Sequence, residues 1–129
     1  MNEEPVFLTR EVIDNIHSDS LAMFGGSAGV RDDGLVDSAL GSAKNIWFYG
    51  HGDIFDVAAA YAFHIAQAQA FIDGNKRTGI GAALTFLEYN GVRTKVDDGT
   101  LYDGMIAIAD RRLDKPGLAK LMRDFFSAV

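Results

Sequence analysis

Apolar positions recur at three- and four-residue steps along most of this chain, the spacing of amphipathic helices. Val12, Ile13, Ile16, Leu21 and Phe24 predict a helix from about Thr9 to Phe24, stopped by Gly25-Gly26. A glycine-rich, charged loop spans Ser27 to Gly34, and Asp32 or Asp33 caps a second helix with Leu35, Val36, Ala39 and Leu40, fraying toward Lys44. No clear period runs through Asn45 to Asp53, where Trp47, Phe48 and Tyr49 sit among glycines. This predicts an ordered flap with at least two of the three rings tucked into the core. Ile54 to Ala68 is an alanine-rich helix whose small residues admit a close neighbour, so it belongs at the centre. Lys76 to Tyr89 forms another, with Ile80, Ala83, Leu84 and Leu87 on one stripe and Asn90-Gly91 as its stop. Val92 to Val96 is a short extended piece, and Asp98 to Arg112 and Pro116 to Ala128 are amphipathic, the last with proline in its first turn. The expectation is one all-α domain over residues 1–129, with about six helices and room for one short β-hairpin in the flap.

Composition adds limits. At 129 residues and 48% hydrophobic, the chain can bury one core. A formal charge of -6 argues against broad binding to a nucleic-acid backbone, so no direct nucleic-acid partner is expected. There is no cysteine, hence no disulfide. No apolar run reaches the roughly 18 residues that span a bilayer, and Met1-Asn2-Glu3-Glu4-Pro5 does not resemble a signal peptide. The default expectation is a cytoplasmic protein without a membrane partner.

The chemistry concentrates between the two alanine-rich helices, in Gln69-Ala70-Phe71-Ile72-Asp73-Gly74-Asn75-Lys76-Arg77-Thr78-Gly79. Gly74 permits a tight turn, Asn75 can cap the following helix, and that helix's first amides stand beside Lys76 and Arg77. Cations at a helix start oppose the helix dipole, which makes sense when an anion lies between them. Asp73 sits where a divalent ion would bridge it to phosphate, although aspartate before glycine commonly caps turn amides instead. Phe71 is an apolar anchor for the loop.

Phe71-Ile72-Asp73-Gly74-Asn75-Lys76-Arg77-Thr78 resembles the signature of the Fic/Doc family, His-x-Phe-x-(Asp/Glu)-(Gly/Ala)-Asn-(Gly/Lys)-Arg. Phe7-Leu8-Thr9-Arg10-Glu11, the Phe24-Gly25-Gly26 and Gly29-Val30-Arg31-Asp32 loop, Ala59 to Ile65 and Phe86 to Val92 resemble its death-on-curing (Doc) branch. The resemblance covers nearly the whole chain. Lys76, where adenylyl-transferring Fic enzymes usually have glycine, and Ile80, where they have a second arginine, are similar to Doc. The resemblance implies a toxin that transfers the γ-phosphate of ATP, with Mg²⁺, to a hydroxyl of translation elongation factor Tu. It assigns Gly74, Asn75, Lys76, Arg77 and Thr78 to the nucleotide, Asp73 to the metal, and Gln69, Asp73, Lys76 and Arg77 to catalysis. It also implies that the flap holds a target peptide as an added strand. No serine or threonine precedes a glutamate by four residues, so the family's inhibitory helix pattern is absent and a separate antitoxin helix is the implied inhibitor.

One position departs from the pattern. The family's catalytic histidine falls where this chain has Gln69, and Ala70 replaces the proline that often follows. Histidine accepts a proton near neutral pH; a glutamine amide can only orient a hydroxyl. Three readings stay open: an enzyme using an orienting glutamine, as phosphoryl transfer permits; a nucleotide- or antitoxin-binding homologue without activity; or an engineered loss of function. AMP transfer is the alternative chemistry. His64 is five residues before Gln69, about 140° and 7.5 Å away on a helix, so it does not substitute and instead packs between Tyr61 and the next helix. His17, on the first helix, and His51, in the flap, carry no expected role.

Overall fold

A computed structural model of the chain describes residues 3–94 and 99–127. Among them are six helices and no strand, as the periodicity predicts: α1 (Arg10–Phe24), α2 (Asp33–Phe48), α3 (Ile54–Ala68), α4 (Asn75–Tyr89), α5 (Thr100–Ala109) and α6 (Lys115–Ser127). The caps follow side-chain chemistry. The Thr9 hydroxyl accepts from the Val12 N–H, Asp32 from Leu35, and Asp53 forms a reciprocal capping box with Asp56. Gly25 ends α1 at φ 82°, a conformation that disfavours any side chain.

α3 is the central element, packed by α2, α4 and α6. Its residues Val57 to Ala62 are buried on every side. Alanine makes this possible, because neighbouring backbones come close enough that a Cβ on Gly79 of α4 would lie 2.7 Å from the Ala62 carbonyl oxygen. On the opposite side of α4, a Cβ on Gly81 would meet Ile16 of α1 at 2.6 Å. Phe71, Phe86, Leu87 and Phe126 join the core, and Phe125 packs against it.

Several expectations need correction. α2 does not fray at Lys44 but runs to Phe48, because Val36, Ala39, Ala43 and Ile46 continue one buried stripe that the aromatic cluster obscures. The flap therefore shrinks to residues 49–53, and the described residues contain no hairpin; the one β-bridge pairs Val30 with Phe71. Of the flap's three rings only Trp47 packs on the core, while Phe48 and Tyr49 remain 48% and 80% exposed. Val92 to Thr94 forms no strand, and the rest of that extended piece, with Asp98, lies outside the described residues. α5 stops at Ala109, where the chain turns back so that Arg112 and Leu113 both donate to the Ala107 carbonyl. Ala128 is also outside the described residues, and α6 starts one residue before Pro116.

Candidate functional site

The turn between α3 and α4 is held as a rigid frame. Asn75 does not cap α4; Gly74 is the N-cap, at φ 80°, and makes no side-chain bond. The Asn75 carboxamide reaches back instead. Its Oδ1 accepts from the Phe71 N–H at 3.1 Å and its Nδ2 donates to the Phe71 carbonyl at 3.0 Å, closing a two-bond clamp across the turn. A buried asparagine is spent this way because both main-chain groups of buried Phe71 would otherwise lack partners.

The loop before α2 lies alongside. Arg31 and Asp32 N–H groups donate to the Ala70 carbonyl, the Ile72 N–H donates to the Gly29 carbonyl, and the Asp73 carboxylate accepts from the Ser27 N–H at 2.9 Å. The strand-like partner of the motif is thus the 27–32 segment. From below, the imidazole of His17 stacks on Phe71 at 3.9 Å between centroids and its Nε2 lies 2.8 Å from the Asp73 carbonyl oxygen.

Gln69 ends α3 in the left-handed conformation, φ 54°. Its side-chain amide donates to the Ala66 carbonyl at 3.0 Å, capping the helix, and Arg31 approaches its main-chain oxygen at 3.4 Å. The side-chain carbonyl oxygen of Gln69 and its second amide N–H are left to orient another group. Gln69, Asp73, Gly74, Asn75, Lys76 and Arg77 converge with Ile72 and Tyr102 on an open cavity of about 310 Å³. Thr78 does not line it: its side chain is buried, and its N–H closes the first helical bond to Gly74. The N–H groups of Asn75, Lys76 and Arg77 have no carbonyl within the helix to bond, and all three residues line this cavity.

The two cations differ in posture. Lys76 is exposed and in no ion pair among the described residues. The Arg77 guanidinium lies 3.8 Å over the Phe24 ring and 5.3 Å from that of Tyr102, a cation–π arrangement that stiffens it without neutralising it. Phe24, Arg77 and Tyr102 also wall an adjoining apolar groove of about 410 Å³ between α1, α4 and the start of α5, with Ile16, Met23 and Leu84.

His64 points elsewhere. It meets Phe63 edge-on, and its Nε2 accepts from the Lys115 ammonium at 3.1 Å, so the neighbouring helix is α6. Burial, and then Lys115, pushes its pKa below the ordinary histidine value. Sequence reasoning passed over His17, Arg31, Phe24 and Tyr102 as parts of the site. His17 left one trace: a polar residue on the buried stripe of α1, in step with Ile13 and Ser20, must find a partner.

A helical core of this topology, with a clamped Asp-Gly-Asn-Lys-Arg turn at the start of α4, defines the class: the chain belongs to the Fic/DOC family, which it matches over residues 7–87. It is 37% identical over 128 residues to "Toxin Doc" of Mycolicibacterium smegmatis, covering 95% of each chain. It is 28% identical over 115 residues to "Protein kinase doc" of Escherichia phage P1, covering 88% of this chain and 90% of that protein.

Proposed function

We propose that this chain is a Doc-type toxin of a toxin–antitoxin pair and acts as an ATP-dependent protein phosphotransferase in the cytoplasm. The observation that carries the reading is the convergence of Asp73, Lys76, Arg77 and the first amides of α4 on one cavity, in a chain similar to a protein named as a kinase. The donor set fits a nucleotide with magnesium. Helix N-terminal amides and two cations suit phosphate oxygens, and magnesium needs few protein ligands when phosphates and water supply the others, so Asp73 suffices. ATP, when bound, supplies the phosphoryl group. The chain's own contributions are positioning and charge, which dominate in this chemistry.

Gln69 sets the limit on rate. Its side-chain oxygen can accept a hydrogen bond from the target hydroxyl and aim it, but it cannot carry the proton away, so that proton passes to solvent or phosphate. The target proposed is a hydroxyl of elongation factor Tu. A second reading, a homologue that binds nucleotide or antitoxin without catalysis, is favoured by one observation: the Gln69 amide is committed to capping α3. The antitoxin is proposed to lay an amphipathic helix in the groove between α1, α4 and α5, where Met23 and Phe24 stand 75% and 55% exposed.

The test is incubation of the purified chain with magnesium, elongation factor Tu and ATP labelled at either the γ- or the α-phosphate. Label from γ-labelled ATP alone, lost in Lys76→Ala, is the expected result. Label from α-labelled ATP overturns the kinase assignment in favour of AMP transfer.

A further inference from the structure

His17 lies against three residues of the turn. It stacks on Phe71, its Nε2 meets the Asp73 carbonyl oxygen at 2.8 Å, and its Cδ2 lies 3.6 Å from where a Cβ on Gly74 would be. His17 is 6% exposed, so its Nε2 needs a partner inside the protein, and the Asp73 carbonyl is the one it meets. A carbonyl oxygen can only accept, so Nε2 carries the proton and donates.

That single bond fixes a peptide plane. The chain has no cis peptide among its described residues, and in a trans peptide the carbonyl and the following N–H point in opposite directions. With the Asp73 carbonyl drawn down onto His17, the Gly74 N–H points the opposite way, and Gly74, unlike His17, lines the cavity. This N–H donates to no protein group among the described residues. Left-handed Gly74 followed by helical Asn75 is also the alternation that makes successive N–H groups converge into an anion-binding nest.

We propose that His17 is a positioning residue for this turn: by holding the Asp73 carbonyl it turns the Gly74 N–H toward phosphate, adding a donor to the α4 amides. The inference rests on the reading of the turn as a phosphate site. It requires the imidazole only as an Nε2 donor, with no proton transfer.

Two measurements test it. In the chain labelled with nitrogen-15 at histidine, NMR is expected to show the His17 proton on Nε2; a neutral ring protonated on Nδ1 alone overturns the proposal whatever the turn binds. Calorimetry with Mg·ATP then compares His17→Phe, which keeps a ring against Phe71 but donates nothing, with His17→Gln, whose amide can restore the donor. His17→Phe is expected to weaken binding about tenfold and His17→Gln to stay within about threefold, a difference that loss of packing alone does not produce. Equal weakening by both, or undiminished binding by His17→Phe, overturns the positioning role while leaving the phosphate site standing. If the natural chain binds no Mg·ATP, the phosphate site itself fails and the role of His17 with it.

Discussion

Asn75→Ala probes the frame of the site through its thermodynamics. The Asn75 carboxamide supplies both partners of the Phe71 main chain, at 3.1 and 3.0 Å, where Phe71 is 1% and Asn75 8% exposed. Alanine leaves one N–H and one carbonyl orphaned in a dry environment. At about 1–3 kcal/mol for each stranded group, the expected loss is about 2–6 kcal/mol, a large part of the 5–15 kcal/mol typical of a domain. For a chain of this length about 4 °C of Tm accompanies each kcal/mol, so thermal unfolding should move down by roughly 8–24 °C. Urea denaturation followed by circular dichroism gives the free energy directly, and Mg·ATP affinity measured well below the melting temperature should fall with it. A change under about 0.5 kcal/mol, the size usual for surface substitutions, would refute the clamp.

Glycine-to-alanine changes in two helices should differ in sign: Gly41 in α2 faces open space, so alanine stabilises it by up to about 1 kcal/mol, whereas at Gly79 the 2.7 Å contact with the Ala62 carbonyl makes overpacking, about 1–3 kcal/mol, outweigh that gain. Equal shifts in urea midpoint would show that α3 and α4 do not pack this closely. Burial raises the Asp53 carboxyl pKa, but hydrogen bonds from Arg123 and the Asp56 N–H outweigh burial and hold it below its ordinary 3.8. Its contribution is therefore complete above the unfolded value near 3.9 and lost as pH falls through the lower folded value. Because both partners are partly exposed, Arg123→Ala should cost only about 1 kcal/mol at pH 7 and flatten stability between pH 5 and 2; an unchanged acid profile would contradict the pairing.

Local rules made much of the fold legible. The alanine-rich run gives α3 its observed bounds, Ile54 to Ala68, and the structure adds the Asp53 capping box at its start and the left-handed Gln69 at its end. The end of α2 is hidden in the sequence because clustered aromatics look like a loop in one dimension, although Ile46 still falls in step with Ala43. In the motif, the turn and its charges were legible, but the use of Asn75 was not: cap and clamp need the same carboxamide, and only the path of Phe71 decides between them. Ser27 reaches Asp73 across 46 residues and His17 across 56, separations that no periodicity reports. Arg77's stack on Phe24 is likewise a product of where α1 ends.

The most direct test of the account is phosphate transfer by the natural chain beside Gln69→His. Histidine suits the left-handed φ of 54° at this position, and restoring a base is worth about 10²–10⁴-fold. The account predicts slow but measurable labelling of elongation factor Tu from γ-labelled ATP by the natural chain, and a rise of that order with the substitution. Labelling by Gln69→His with none above background from the natural chain would contradict it, leaving the natural protein a binder without chemistry.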